Sequence, residues 1–355
     1  MNKQKTEGIW LGKNLPRNLE NLIKWSNEPI KSLGIYFEKD KKQIEDLNWK
    51  PRLTKLENIL SRWKVRKLTY YGKITIIKTL GISQILYNAS CINVPDYVIK
   101  VLNKTIYRFL WGSGKEKVKR STTTKDMVDG GLRMINIENQ INALKLKWVS
   151  RMLDGKNTGV LKRIVNHCSE PLGGFPFLLE LNCKSDDVSK LFDNKIPPFY
   201  QGVLKAWYTL QEKRREVRDV HENDIMWGNT NVRYKGQVFF YTKWINAGIL
   251  RLKDIVTGDR FINLTELSTK IKCPKNMFNL YKLMISIPEN WKKVIKKRKL
   301  SSHVRKENTT FIVYDKERHI SELQTKNIYG MLNINHEDAV CIKHWKKQNI
   351  GENKD

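Results

Sequence analysis

The chain has 355 residues, of which 66 are Lys or Arg and 36 are Asp or Glu, so its formal charge is +30. A hydrophobic fraction of 40% with 11 Trp supplies enough apolar material for packed cores and excludes a disordered chain. The length suggests about two or three domains. Scarce Gly and Pro favour helices over a β-sandwich.

The positive charge opposes compaction unless an anionic partner neutralises it, and nucleic acid is the obvious polyanion. An acidic membrane surface is the weaker alternative, because no basic amphipathic helix stands apart from the predicted core. Residues 1–13 lack the apolar segment of a secretory signal. The sequence also contains no run of about 18 apolar residues, the length that is needed to span a bilayer. Scattered cysteines fit a reducing compartment, so we expect an intracellular protein of the nucleus or cytoplasm. We expect no membrane partner.

Residues 1–40 predict a small β element. The runs "GIWLG" (8–12) and "IKSLGIYF" (30–37) are rich in β-branched and aromatic residues. Two strands alone are barely stable, so this part is typical of the edge of a larger sheet.

Residues 41–125 predict a helical bundle. A first helix starts near Pro51, and a second, apolar nearly all round, runs from an N-cap at Thr69 to about Ser90. The third helix starts after Pro95-Asp96 and ends at Trp111-Gly112. Its apolar stripe consists of Val98, Leu102, Ile106 and Phe109.

The rest of the chain predicts an α-rich region over 126–290 and a basic tail region over 291–355. The sequence of the first of these contains several helical patterns and one short β insert within 226–240. The helical patterns cover 138–153, 158–167, 185–193, 198–214, 242–256 and 263–271.

The stretch "LSRWKVRKLTYYGKITIIKTL", residues 60–80, places basic residues around Trp63, Tyr70 and Tyr71. This interleaving is typical of proteins that contact a single strand or a heteroduplex through backbone and shape. A solvated helix face over an aromatic core is an equal alternative. The same charge recurs on the third helix and in the loop after it, which favours binding. The candidate nucleic-acid contacts are Arg62, Lys64, Arg66, Lys67, Lys73, Lys100, Lys104, Arg108, Lys115, Lys117, Lys119 and Arg120.

Three other features favour structural explanations. "WKKVIKKRK" (291–299) fits a nuclear localisation signal or a phosphate contact, but a solvated charge run is the stronger interpretation. His336, Cys341 and His344 lack a fourth zinc ligand nearby. The acidic pair Asp186-Asp187 is better explained as a helix cap than as a Mg²⁺ site. The sequence therefore predicts no catalytic residue, no metal ligand and no cofactor.

Several motifs in this order resemble the thumb of reverse transcriptases from LINE-type non-LTR retrotransposons. These motifs are Trp63, Arg66, Leu68-Thr69, Gly72-Lys73, Tyr87, Val94-Pro95 and Phe109-Leu110-Trp111. The stretches starting at Asp129 and Met226 resemble the regions that follow that thumb. "NKQKTEGIWLG" resembles the strand after the catalytic aspartate pair, with Lys5 at the lysine of that motif, and "KSLGIYF" resembles the primer-grip turn.

The resemblance implies a residual palm edge over 1–40, a helical thumb over 41–125 and the α-rich C-terminal region. It places the catalytic aspartates, which hold Mg²⁺ in the full-length family enzyme, upstream of residue 1. We therefore expect a truncated fragment that binds RNA, DNA or their hybrid without sequence specificity and catalyses nothing alone. One alternative is a polymerase subunit that acts only with a separate palm-containing fragment. The other is a decayed, non-functional copy.

Overall fold

The computed structural model describes residues 6–10, 24–112, 114–155, 159–214, 220–270, 277–297, 309–313 and 316–334. The chain divides into two compact units, Met1–Ile141 and Asn142–Asp355. Helices dominate both units and the strands form small pairs, so the predicted mainly α fold is confirmed. The predicted four-part division into domains stays a prediction.

The N-terminal unit combines two strand pairs with a helical bundle. Its elements are β1 (Glu7–Gly8), β2 (Lys24–Trp25), β3 (Ile30–Ser32), β4 (Ile35–Phe37), α1 (Lys41–Lys64), α2 (Tyr70–Ile76), a π-helical turn (Ile77–Gly81), α3 (Ser83–Cys91), α4 (Asp96–Trp111) and α5 (Arg120–Thr123). The division between the units falls within α6 (Ile137–Leu153). Strands β1 and β2 pair in parallel, and β3 and β4 form an antiparallel hairpin.

Helix α1 begins ten residues before the predicted start, and Pro51 lies inside it. The carboxylate of Asp40 accepts hydrogen bonds from the backbone N–H groups of Lys42 and Gln43, so it caps the helix at that earlier point. An internal proline costs about 3 kcal/mol. Burial of an apolar stripe on both sides of it offsets that cost. The stripe consists of Trp49, Leu53, Leu56 and Leu60.

The single helix predicted from Thr69 to Ser90 is interrupted by the π-helical turn, in which the Ile82 N–H donates to the Ile77 carbonyl at 2.8 Å. The predicted N-cap at Thr69 is confirmed, since its hydroxyl accepts from the Gly72 N–H at 3.2 Å. The turn places Gly81 against α1. A Cβ there would lie 2.9 Å from Leu56, so a side chain would separate the two elements. Helix α4 has the predicted bounds and a buried stripe, and Gly112 ends it with φ +68°.

The β3–β4 hairpin is fixed to the bundle by side chains. Leu33 and Gly34 form its turn with φ of +47° and +83°. The Tyr87 hydroxyl donates to the Leu33 carbonyl at 2.6 Å. The amide of the buried Asn48 donates to the Tyr36 carbonyl and accepts from the Tyr36 N–H, both at 2.9 Å. Asn48 therefore occupies the outer edge of β4 as a neighbouring strand would.

The C-terminal unit contains the larger apolar core. Its helices are α7 (Val160–Ser169), α8 (Phe175–Glu180), α9 (Val188–Phe192), α10 (Pro198–Arg214), α11 (Thr242–Asn246), α12 (Leu264–Lys270), α13 (Met277–Ser286), α14 (Glu289–Lys296) and α15 (Thr325–Asn333). Its strands form three antiparallel pairs, β5 (Arg233–Tyr234) with β6 (Gln237–Val238), β7 (Val256–Thr257) with β8 (Arg260–Phe261), and β9 (Thr310–Val313) with β10 (Lys316–His319). Short 3₁₀ turns lie at Glu170–Leu172, Ser185–Asp187, Leu252–Asp254 and Ile320–Glu322.

Buried aromatic residues with satisfied polar atoms organise this core. The Trp207 indole donates to the Leu179 carbonyl at 2.8 Å, and the Tyr208 hydroxyl donates to the Leu178 carbonyl at 2.5 Å. The region predicted as a basic tail also contributes to the core, through Phe311 of β9 and Leu332 of α15. The described part of 291–334 is therefore packed structure, although no helix or strand was predicted there.

Candidate nucleic-acid interface

Positive charge is concentrated in one segment of the N-terminal unit. Residues 62–125 contain 14 Lys and Arg but only two acidic residues, Asp96 and Glu116. All twelve candidate residues lie in this segment. All of them are exposed except Lys73, which is half-buried. Their placement at the surface fits binding and a solvated face equally, so their role stays a prediction.

The basic collar, which consists of Arg62, Lys64, Arg66 and Lys67, spans the last turn of α1 and the residues just after it. The Arg66 N–H donates to the Trp63 carbonyl at 3.2 Å and closes a tight turn. The turn brings the Arg66 guanidinium over the Trp63 ring, 4.4 Å from its centroid. This contact leaves the guanidinium charged and exposed while fixing its plane against the aromatic ring.

Lys73 has a structural partner that the sequence did not reveal. Its ammonium donates to the Leu110 carbonyl at 3.0 Å. The last carbonyls of a helix lack intrahelical partners and carry partial negative charge, so a lysine there stabilises the end of α4. Lys73 thereby joins α2 to α4, which gives it a role that does not require nucleic acid.

The basic face of α4 runs along one side of the helix. Lys100, Lys104 and Arg108 are exposed at intervals of four residues, and together they extend over about 12 Å. One acidic residue lies near this basic face, because the Thr105 hydroxyl of α4 donates to the carboxylate of Glu57 on α1 at 3.4 Å. The spacing suits a backbone of regularly placed phosphates.

The loop after α4 contains both free and compensated charge. Lys115, Lys117 and Lys119 are exposed. Arg120 instead forms a two-pronged hydrogen-bonded pair with the Glu116 carboxylate and lies 4.5 Å over the Tyr107 ring. The hydrogen bond from Arg120 lowers the pKa of Glu116 and correspondingly raises the pKa of Arg120. Arg120 would therefore offer less charge to a phosphate than the lysines do.

Three contacts gather several of these groups at the C-terminal end of α4. Tyr70 packs edge-on against Trp111 at 5.2 Å between ring centroids, which brings the segment just after the collar to this end. The Lys73 and Arg120 contacts bring α2 and α5 to the same end. Lys100 lies about 16 Å away from Trp111 along the helix, so the twelve residues form an extended surface and not one pocket.

Lys78 and Arg133 are two further basic residues of this unit that were not among the candidate contacts. Desolvation lowers the pKa of Lys78, and the charge of Arg133 lowers it further, so the two cations influence each other. Arg133 also pairs with Asp126 at 2.6 Å. Their separation in sequence hides this interaction, since no local spacing links positions 78 and 133.

Asp187 of the acidic pair Asp186-Asp187 occupies the N-cap position of α9, but its side chain makes no capping hydrogen bond, so the predicted side-chain cap is not formed. Asp186 is exposed, whereas the buried Asp187 accepts from Arg233 at 3.0 Å. A buried carboxylate needs such a partner, and the sequence could not name an arginine 46 residues away. Within the described ranges, no three His, Cys, Asp or Glu side chains gather where they could hold a metal ion. Lys5, His336, Cys341 and His344 lie outside those ranges.

The charge run "WKKVIKKRK" is helical in its described part. Trp291 and Ile295 are buried on one face of α14, and the lysines lie on the others. Lys292 pairs with Glu289 at 2.7 Å. This arrangement suits a solvated helix face. No helix in the described ranges is long and apolar enough to cross a membrane.

The chain matches no protein-family model. It is similar to an uncharacterized 149 kDa protein of transposon TX1 from Xenopus laevis, with 22% identity over 248 residues, or 67% of this chain. It is also similar to a putative ribonuclease H protein of Arabidopsis thaliana, with 29% identity over 111 residues, or 30% of this chain. In each case the match covers 18% of the length of the relative. The similarity to the transposon protein thus covers two thirds of this chain but only a small part of that much longer relative.

Proposed function

We propose that the chain is a transposon-derived segment that binds RNA, DNA or an RNA·DNA hybrid without sequence specificity. The observation that carries this proposal is the basic surface of the N-terminal unit, with 14 basic and two acidic residues between positions 62 and 125. The similarity to a transposon protein supports the origin, and the similarity to a putative ribonuclease H protein is consistent with nucleic acid as partner. The proposed function is binding and not catalysis.

The finer proposal is that this unit serves as the thumb of a LINE-type reverse transcriptase. In support, an exposed basic surface lies on a packed helical bundle that follows a hairpin resembling the primer grip. The buried sides of α1, α3 and α4 keep the bundle rigid. Lysine and arginine on its outside would contact phosphates of primer and template, which carries no sequence information.

Fluorescence anisotropy with a labelled RNA·DNA hybrid across a salt series tests the proposal. Lysine and arginine that displace counterions from phosphates make log K fall linearly with log[salt], by about 0.9 for each phosphate neutralised on B-DNA. We expect a slope equivalent to several phosphates, with hybrids of unrelated sequence giving the same curve. Folded protein that does not bind at low salt, or that binds with no salt dependence, would remove the proposal.

A second candidate is a subunit that acts with a separate palm-containing fragment. It is favoured by an edge of the hairpin that pairs with no strand in the part of the chain that the structure describes. Asn48 takes both backbone groups of Tyr36 on the outer side of β4. Because Lys31 lies opposite Tyr36, the N–H and carbonyl of Lys31 face outward on the other edge. A palm strand would pair there.

Co-expression with a palm-containing fragment tests this candidate. We expect the mixture to extend a primer, and Lys31→Pro, which removes the outward N–H, to abolish extension. Lys31→Ala keeps that N–H and serves as the matched control. A mixture that stays inert would exclude this candidate while leaving the binding proposal unaffected.

A further inference from the structure

Exposed aromatic and apolar side chains accompany the basic collar. Val65 is 86% exposed, Tyr71 is 51% exposed and Tyr70 is 40% exposed, all within seven residues. These rings follow Arg66 and Lys67 closely in sequence, and both basic residues are themselves exposed. A solvated helix face would gain nothing from this composition.

The local backbone holds these groups in a fixed arrangement. The Arg66 N–H bonds to the Trp63 carbonyl, and the Leu68 N–H bonds to the Arg66 carbonyl at 2.9 Å. The Arg66 guanidinium is thereby stacked on Trp63. Tyr70 is anchored against Trp111, whereas its neighbour Tyr71 projects into solvent. The connection from α1 to α2 is therefore an ordered set of flat surfaces rather than a loose basic loop.

We infer that this aromatic platform, formed by Trp63 with Arg66 and by Tyr70 and Tyr71, stacks on unpaired nucleotides. The inference rests on the proposed function and gives it a preferred substrate, a hybrid or duplex with a single-stranded extension. Bases inside a duplex have both faces covered, whereas each unpaired nucleotide of an extension can offer a free face to a tyrosine or a guanidinium plane. The collar would hold the phosphates of the same nucleotides.

The test compares three labelled ligands on the full chain at fixed salt. They are a blunt RNA·DNA hybrid, the hybrid with a short single-stranded extension, and the hybrid with an abasic extension of equal length. The two extensions carry the same phosphates and differ only in bases. We expect the base-bearing extension to bind at least about fivefold more tightly than the abasic one, the low end of one stacked base.

Two variants test which residues cause the tighter binding of the base-bearing extension. Tyr71→Ala should reduce the affinity for the base-bearing extension to that for the abasic one. Arg66→Lys keeps the charge but loses the planar stacking surface, so it should act in the same direction. Tyr97→Ala is the matched control, because Tyr97 is 39% exposed in the same unit but beside acidic residues. Partial burial raises the pKa of Tyr97, and Asp46 and Glu45 raise it further.

The outcomes separate this inference from the proposed function. Equal, salt-dependent binding of the base-bearing and abasic extensions would overturn the platform and leave backbone binding in place. An extension effect that survives Tyr71→Ala and Arg66→Lys would also overturn it. If no ligand binds in a salt-dependent way, the proposed function itself fails.

Discussion

The two units differ in how some of their basic residues are used. In the C-terminal unit, several lysines and arginines connect segments that are distant in sequence. Lys147 on α6 donates to the Leu323 carbonyl at 2.8 Å, and Lys213 and Arg214 at the end of α10 donate to the carbonyls of Leu332 and Thr310. Burial lowers the pKa of Lys147 and of Lys213, as expected for ammonium groups used inside the structure. These contacts attach the β9–β10 hairpin and α15 to the core.

In the N-terminal unit, most basic side chains between 62 and 125 point to water, and Lys73 is the exception that resembles the other unit. Total charge is therefore a poor guide to function in this chain. A net charge of +30 describes both units together, and the C-terminal unit also has exposed lysines and arginines. Residues 62–125 differ in combining 14 basic residues with only two acidic ones. The comparison predicts that stability and binding can be altered separately.

The largest expected effect is on the stability of the C-terminal unit. Trp207 is fully buried on α10, and Trp207→Ala should reduce the free energy of unfolding by about 3–5 kcal/mol. Urea unfolding followed by circular dichroism measures the loss. Trp148→Ala, at a half-buried position on α6, is the control and should cost less. Hybrid binding should persist in folded Trp207→Ala protein, and its loss there would contradict the assignment of binding to the N-terminal unit.

The next effect is on binding. Lys104→Glu with Arg108→Glu, on the basic face of α4, should weaken hybrid binding at least about tenfold at low salt and reduce the salt slope by about two. Lys190→Glu with Lys205→Glu changes the net charge by the same amount at exposed positions of the C-terminal unit. Anisotropy titrations should show little change for that control. Equal weakening by both pairs would mean that binding follows total charge alone.

The sequence predicted α4 fully because its signals are local. Pro95 precedes the helix, Gly112 ends it in the left-handed region, and a 3.6-residue stripe lies between them. Helix α1 was predicted to start late, since Pro51 is a stronger local signal than the Asp40 cap. The hairpin turn has Leu33 at φ +47°, a conformation unfavourable for leucine that the Tyr87 hydrogen bond stabilises. Such tertiary support leaves no local pattern.

The candidate site shows the same limit. Spacing on α4 correctly predicted an exposed basic face for Lys100, Lys104 and Arg108. Sequence could not distinguish Lys73, whose ammonium bonds a helix carbonyl, from lysines that face solvent. Glu116 is the one acidic residue among the basic residues at positions 115–120, but its pairing with Arg120 depends on loop geometry. Charge can be read from sequence, whereas the partner of a charge depends on the fold.

A smaller effect on stability is expected from substitutions of two arginines in the C-terminal unit. Arg233 pairs with the buried Asp187 and donates to the carbonyls of Thr230 and Gly236. Arg233→Ala leaves that carboxylate without its partner, so unfolding should become easier by about 1–3 kcal/mol. Arg260→Ala removes an exposed pair with Glu266 and an exposed hydrogen bond to the Phe261 carbonyl at 3.3 Å, so it should change stability little. Equal losses in urea unfolding would show that the arginines of this unit act through surface charge.

The smallest effect is a pH dependence confined to the C-terminal core. Burial raises the pKa of Tyr208 well above 10.0, so above pH 10 the unfolded chain ionises this tyrosine and the folded chain does not. Stability from Tyr208 is therefore complete below pH 10 and is lost as the pH rises towards the folded pKa, by about 1 kcal/mol between pH 10 and 11. Tyr208→Phe lacks this group and also lacks the hydrogen bond to Leu178.

The free energies of unfolding of the native protein and of Tyr208→Phe should therefore approach each other as the pH rises. Near pH 8 the native protein should be the more stable by about 1 kcal/mol, the usual contribution of one buried hydrogen bond. By pH 11 the difference should be close to zero, because other lysines and tyrosines titrate equally in both proteins. Urea unfolding at intervals between pH 8 and 11 measures the difference. Curves that stay parallel would mean that the Tyr208 hydroxyl reaches solvent, and that this core is less closed than its burial indicates.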